Sequence, residues 1–180
     1  MLISDVSTLA FVFLALFITH QFEEIVFMHY WLEKHQSEPA YQRDFWVSQY
    51  TRYPATRSAF ALMISEEFVL ATMILLIAIL IDSVEMTVGL FLANMLHLTA
   101  HLIAARGIGK WSPGSVTALI TLLLSAWIVW STTAARPVNF ATAVIAAVIF
   151  IVLIAGNLLL LHYYSPRIEQ FITAYVKRLY

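Results

Sequence analysis

Long apolar segments separated by short polar connections dominate the pattern of this chain. Five of these segments are long enough to cross a membrane, whose hydrocarbon core requires about 20 helical residues. The pattern predicts an all-α integral membrane protein that forms a single domain over residues 1–180. The predicted transmembrane helices are Ser4–Trp31, Ser58–Ile81, Glu85–Ala105, Gly114–Ser131 and Val138–Tyr163.

Two other segments have an amphipathic pattern. The connection from Leu32 to Arg57 mixes charged and aromatic residues, which is typical of a helix that lies along the membrane interface. The tail after Pro166 has the same character, because Phe171 and Tyr175 are interspersed with basic residues. We predict an interfacial helix in each segment.

Composition supports the membrane prediction and narrows the function. The chain is 61% hydrophobic and 12% charged, which leaves too little polar surface for a soluble globule. A net charge of -1 and scattered basic residues exclude a basic face for nucleic acid. Since the chain has no cysteine, any metal would be bound by imidazole, carboxylate and amide groups.

The distribution of Lys and Arg predicts the orientation. Nine of the ten lie in the first and third connections or the tail, and only Arg136 lies on the other side. The positive-inside rule then places the N-terminus outside and the C-terminus in the cytoplasm, as in a bacterial inner-membrane protein. The first helix should be retained, because the N-terminus lacks the basic region of a signal peptide.

Ionisable residues inside the predicted helices are the main candidates for a site. His20, Glu23 and Glu24 lie at positions i, i+3 and i+4, so they project from one face of the first helix. A charge near the centre of a bilayer costs at least about 2.5–3.5 kcal/mol, so these groups require partners or a bound cation. Other helices carry Glu66, Glu67, Asn94, His97, His101 and Asn157.

The predicted topology places all of these residues at one level in the cytoplasmic half of the membrane. His97 and His101 have the spacing of two helical histidines that bind one metal. The alternative is a pair of hydrogen-bonded core histidines. We predict the metal ligands His20, Glu23, Glu24, Glu67, His97 and His101, with Asn94 and Asn157 supporting them.

Two features limit this assignment. Glu66 and Glu67 diverge by about 100° around their helix, so only one of them is expected to face the site. The fourth helix, which carries Thr117 and Thr121, is expected to be scaffold.

The number of ions follows from charge. The negative charges of the glutamates could balance two divalent ions, as in carboxylate-bridged sites of helical bundles, or one ion if some glutamates are protonated. The predicted cofactor is therefore zinc or iron, as one or two ions.

The segment His20-Gln21-Phe22-Glu23-Glu24 resembles the motif of the HXXEE-domain family of small bacterial membrane proteins. His97 or His101 would be the later histidine of that family's pattern. The turn Trp111-Ser112-Pro113-Gly114 is similar to its Tyr-x-Pro-Gly turn, with Trp in place of Tyr. The resemblance runs from the first helix to the start of the fourth. It implies membership but little mechanism, because the family is defined by its motif.

Three classes of function fit these residues. The first is a metal-dependent hydrolase of a lipid or other apolar substrate, with Glu24, Glu66 or Glu67 as the catalytic base. The second is a di-iron oxidoreductase acting on a lipid, and the third is a transporter or ion-binding protein. We rank the hydrolase first because it needs no electron donor and the outer halves of the helices carry little polar lining. Membrane lipid is the expected partner, and a homo-oligomer is compatible with the sequence.

Overall fold

The computed structural model describes residues 5–38, 41, 48, 52 and 56–179. Its five long helices are all apolar and long enough to cross a membrane, which confirms the predicted fold class. Most of the Leu32–Arg57 connection, with its predicted interfacial helix, lies outside the described residues. The helices are α1 (Val6–His35), α2 (Arg57–Leu80), α3 (Val84–Ile108), α4 (Ser115–Ala135) and α5 (Phe140–Leu179).

The first three helices begin with an N-cap side chain that accepts a hydrogen bond, and the fourth does not. The N-cap side chains Asp5, Thr56 and Ser83 each accept a hydrogen bond from a backbone N–H in the first turn of α1, α2 and α3. These bonds satisfy amides that have no partner inside the helix. The N-cap of α4 is Gly114, which has no side chain to do this. The first turn of α4 therefore needs an acceptor from elsewhere in the fold.

The tail after Pro166 continues α5 and does not form a separate helix. Pro166 lies inside the helix Phe140–Leu179, where its ring removes one backbone hydrogen bond and crowds the carbonyl four residues earlier without ending the helix. At 1.5 Å per residue this helix is about 60 Å long, twice the thickness of a hydrocarbon core. The predicted second interfacial helix is thus the part of α5 that extends beyond the membrane span.

An apolar core fills the half of the bundle near the start of α1. Phe13, Leu75, Leu90 and Phe91 are among its most buried members, and the rings of Phe13 and Phe91 meet edge to face at 5.1 Å. Large apolar side chains such as Trp130 remain 66% exposed on the outer surface, as expected for a surface that faces lipid. The polar residues collect in the other half of the bundle.

Candidate metal centre

Four side chains from α1 and α3 converge in the polar half of the bundle, and we call them the histidine cluster: His20, Glu24, His97 and His101. One potential ligand atom from each lies within 4.8 Å of the others. The three imidazole rings are 4.7–5.5 Å apart and nearly perpendicular to one another. The Glu24 Oε1 atom is 3.2 Å from Nε2 of His101.

The cluster contains two buried ring nitrogens that have no hydrogen-bond partner in the described part of the chain. Among the described residues, the Nε2 atoms of His20 and His97 are buried and have no hydrogen-bond partner, although buried polar atoms in folded proteins are nearly always paired. Three imidazoles and one carboxylate form a donor set suited to zinc. Because zinc ligands lie about 2.0–2.2 Å from the ion, binding would need the cluster to contract by roughly 1 Å.

Glu23 faces away from the cluster and contacts the start of α4. Its Oε2 atom accepts hydrogen bonds from the backbone N–H of Thr117 at 2.8 Å and from the Thr117 hydroxyl at 2.6 Å. The carboxylate therefore caps α4, where Gly114 offers no side chain. The same hydroxyl lies 3.1 Å from Nδ1 of His20, so Thr117 connects the first glutamate of the motif to its histidine.

The turn before α4 closes one side of the histidine cluster. Gly114 has φ +85°, and a Cβ at this position would lie 3.0 Å from Nδ1 of His101 and 3.1 Å from Cε1 of His20. The ring of His101 also hydrogen-bonds the backbone of Pro113, whose carbonyl is the only backbone group able to take part. Glycine suits this position because its φ is positive and because a Cβ would crowd the rings of His20 and His101.

The opposite side of the cluster faces a cavity of about 240 Å³ between α1, α2, α3 and α5. Its lining residues on α1 run from Phe13 to Met28, about 22 Å along the helix axis. Leu96, Ala100 and Ala155 line the cavity and are exposed on the outer surface, so it opens towards lipid between α3 and α5. The cavity is mainly apolar, and its polar lining residues are Gln21, Glu24, Glu67, Asn94, His97 and His162.

A second polar group lies between α2 and α5, and we call it the carboxylate–amide group: Glu66, Glu67 and Asn157. The Asn157 amide donates to Oε2 of Glu66 at 2.6 Å and to Oε1 of Glu67 at 2.9 Å. Glu67 is buried and lines the cavity, whereas Glu66 is exposed. Only one of the adjacent glutamates faces the cavity, as the 100° offset predicts.

The structure brings together four of the six predicted ligands, His20, Glu24, His97 and His101. Glu23 is directed at Thr117 instead. Glu67 lies in the same cavity but bonds to Asn157 and is outside the cluster. Of the predicted catalytic residues, Glu24 lies in the cluster. Glu66 is exposed and accepts a hydrogen bond from Asn157, one of the predicted supporting residues. The other supporting residue, Asn94, lines the cavity.

Two residues of the site, Thr117 and His162, were not among the predicted site residues. The expectation that α4 is only scaffold was wrong, because Thr117 contacts both His20 and Glu23. The available signal was its position three residues after Gly114, where a helix amide needs a cap. His162 lies at the end of the predicted fifth helix, where an interfacial position was expected, yet it is buried and lines the cavity.

Comparison with known proteins agrees with the motif. The family model described as "Protein of unknown function with HXXEE motif" matches residues 11–129, about two thirds of the chain. This region contains the whole histidine cluster, the turn before α4 and Thr117. No curated protein and no solved structure matches the chain. The chain therefore belongs to the HXXEE family, and His20, Glu23 and Glu24 are the residues of its motif.

Proposed function

We propose that this protein is a membrane-embedded, metal-dependent hydrolase that acts on a lipid or another apolar substrate. The observation that carries the proposal is the convergence of three imidazoles and one carboxylate within 4.8 Å at the wall of an apolar cavity. Catalytic zinc sites commonly have three protein ligands and one position open to substrate. His20, His97 and His101 would hold the ion, and the cavity would supply the open side.

Glu24 is the group best placed to move a proton. It lies in the cluster and also lines the cavity, so it can reach both a ligand histidine and a bound substrate. A divalent ion in the cluster would supply a nucleophilic water at neutral pH and polarise the substrate carbonyl. As the water oxygen bonds to the carbonyl carbon, Glu24 would accept the water proton and pass it to the leaving group when the acyl bond breaks.

The cavity supports an apolar substrate that enters from the membrane. Its lining is mostly hydrophobic, and its opening at Leu96, Ala100 and Ala155 faces the surface that contacts lipid. Apolar walls extend along α1 on both sides of Glu24, from Phe13 to Met28. The substrate would therefore carry apolar groups on both sides of the bond that is hydrolysed. With the predicted orientation, this bond would lie in the cytoplasmic half of a bacterial inner membrane.

The other two classes have less support. A carboxylate-bridged di-iron site requires several glutamates around the ions, but Glu23 is engaged by Thr117 and Glu67 by Asn157. A transporter requires a path through the whole bundle. In the described part of the chain, the half of the bundle beyond the cluster is filled by the apolar core around Phe13 and Phe91.

Metal analysis of the purified protein combined with an activity assay tests this proposal. We expect roughly one zinc ion per chain and slow hydrolysis of a long-chain 4-nitrophenyl ester in detergent micelles. A chelator should remove the bound zinc and abolish the hydrolysis, and added zinc should restore the metal content and the activity. Two irons per chain with an oxo-bridge absorption would favour the oxidoreductase instead. A folded protein that neither contains nor takes up a metal would refute the metal site.

A further inference from the structure

We propose that Glu23 and Thr117 form a positioning pair that fixes the ring proton of His20 on Nδ1 and leaves Nε2 free to bind the metal. The first glutamate of the motif would then act through Thr117, without being a ligand itself. The purpose of the pair rests on the proposed function. The position of the proton does not, because it can be measured in the metal-free protein.

The direction of the hydrogen bonds follows from the number of available protons. The Oε2 atom of Glu23 accepts the backbone N–H of Thr117 at 2.8 Å, which identifies this oxygen as an acceptor. The Thr117 hydroxyl lies 2.6 Å from the same oxygen and 3.4 Å from the Gly114 carbonyl. Its single proton goes to the much closer acceptor, so the hydroxyl donates to Glu23. Towards Nδ1 of His20, at 3.1 Å, the hydroxyl can then only accept. Nδ1 must carry the proton, and the lone pair of the neutral ring lies on Nε2.

The second ring nitrogen has the environment that this arrangement requires. The Nε2 atom of His20 is buried and has no hydrogen-bond partner among the described residues, and the His20 side chain is fully buried against the other two rings. Metal-binding histidines nearly always donate their other N–H to a fixed acceptor, which sets the tautomer and the ring orientation. Thr117 supplies such an acceptor for His20, next to the backbone of Gly114, which also hydrogen-bonds the His20 ring.

Glu23 is held in place by a second role. It caps the first turn of α4 through the Thr117 amide, and the N-terminal end of a helix favours a carboxylate. His20 and Glu23 lie three positions apart on one face of α1, so both reach the same threonine. This geometry explains why the motif places a glutamate three residues after its histidine. The following residue, Glu24, lies in the cluster.

The proton position can be read by nitrogen NMR of the metal-free protein labelled with ¹⁵N-histidine in micelles. The His20 signals are assigned by their absence in a His20→Gln variant. We expect the wild-type ring to carry its proton on Nδ1. In Thr117→Val, which keeps the shape but removes the acceptor, the Nε2-protonated form should gain population, and Thr117→Ser should restore the wild-type spectrum.

Zinc affinity provides the second readout, measured by competition with a chromophoric chelator. Thr117→Val should bind zinc about 10–100-fold more weakly, the usual effect of losing such a support, and Thr117→Ser should recover most of the affinity. Thr121→Val is the matched control. It removes a buried hydroxyl one turn further along α4 that, among the described residues, bonds only to backbone carbonyls of its own helix. The zinc affinity of this variant should equal that of the wild type.

Two results would overturn the positioning pair. One is a wild-type His20 protonated on Nε2, which decides the question even if Thr117→Val fails to fold. The other is a folded Thr117→Val variant with wild-type tautomer and zinc affinity. A wild-type protein that binds no zinc but carries the His20 proton on Nδ1 would refute the proposed metal site and leave the hydrogen-bond assignment supported.

Discussion

Two polar groups contribute residues to the same cavity, and they differ in how their polar atoms are paired. In the carboxylate–amide group, Asn157 bonds both Glu66 and Glu67, so the protein supplies the partners itself. In the histidine cluster, Nε2 of His20 and of His97 have no partner within the described ranges. Polar groups in an apolar environment must be paired. The difference favours a structural role for the carboxylate–amide group and supports the histidine cluster as the place of the proposed metal.

The two groups also differ in how firmly they are held. The histidine cluster is enclosed by α1, α3 and the turn at Pro113–Gly114, and its rings contact that turn directly. The carboxylate–amide group joins α2 to α5 through a single asparagine, and Glu66 is exposed. A site that binds a metal requires ligands fixed near their final positions. The histidine cluster comes closer to this condition than the carboxylate–amide group, although its ligand atoms would still move together by roughly 1 Å on binding.

The largest effect should come from removing a ligand. His20→Ala and His97→Ala should each weaken zinc binding by more than about 100-fold, because even the loss of a supporting residue costs 10–100-fold. Metal content after dialysis against a weak chelator measures this. His162→Ala is the control, since it removes a buried histidine from the same cavity but outside the cluster. Equal metal loss in all three variants would point to general unfolding.

The next effect concerns turnover and tests whether Glu24 is a general base or a metal ligand. Glu24→Gln keeps the size of the side chain but removes the proton acceptor. Hydrolysis of the ester probe should fall by about 10²–10⁴-fold while zinc content persists. Loss of zinc in this variant would make Glu24 a ligand, and the base would then be sought at Glu67. Normal turnover would remove Glu24 from the mechanism.

A smaller loss is expected when the turn is changed. Gly114→Ala combines a positive φ with a Cβ only 3.0–3.2 Å from the rings of His20 and His101, so zinc affinity should fall by at least about tenfold. Gly109→Ala is a matched control, because φ is +69° but nothing lies within 4 Å of its Cβ position. Both variants should lose about 1–2 kcal/mol of stability from backbone strain. Only Gly114→Ala should also lose zinc affinity, and equal affinities would contradict the packing argument.

The smallest effect on metal binding is expected in the carboxylate–amide group. Asn157→Leu removes the donor shared by Glu66 and Glu67 and should lower stability by about 0.5–2 kcal/mol, as for other hydrogen bonds between membrane helices. Thermal unfolding in detergent measures this change, while zinc titration should match the wild type. If zinc binding is lost as well, the two groups form one centre and the comparison between them fails.

The sequence alone determined the helices and the composition of the site. Five apolar segments became α1–α5 because each is long enough to span a membrane and must satisfy its own backbone there. His20, Glu24, His97 and His101 were among the predicted ligands because helical spacing sets which residues share a face. These features depend on distances of a few residues along one helix.

Only the tertiary structure decided which neighbouring residue faces the cluster. Glu24 lies in it and Glu23 does not, and Glu67 faces the cavity while Glu66 does not. Adjacent residues differ by about 100° around a helix, so this choice depends on how each helix is rotated against its neighbours. The role of Thr117 has the same origin. Its partners His20 and Glu23 lie on another helix, 97 and 94 positions earlier. The glycine N-cap shows that an amide near Thr117 needs an acceptor, but only packing decides which residue supplies it.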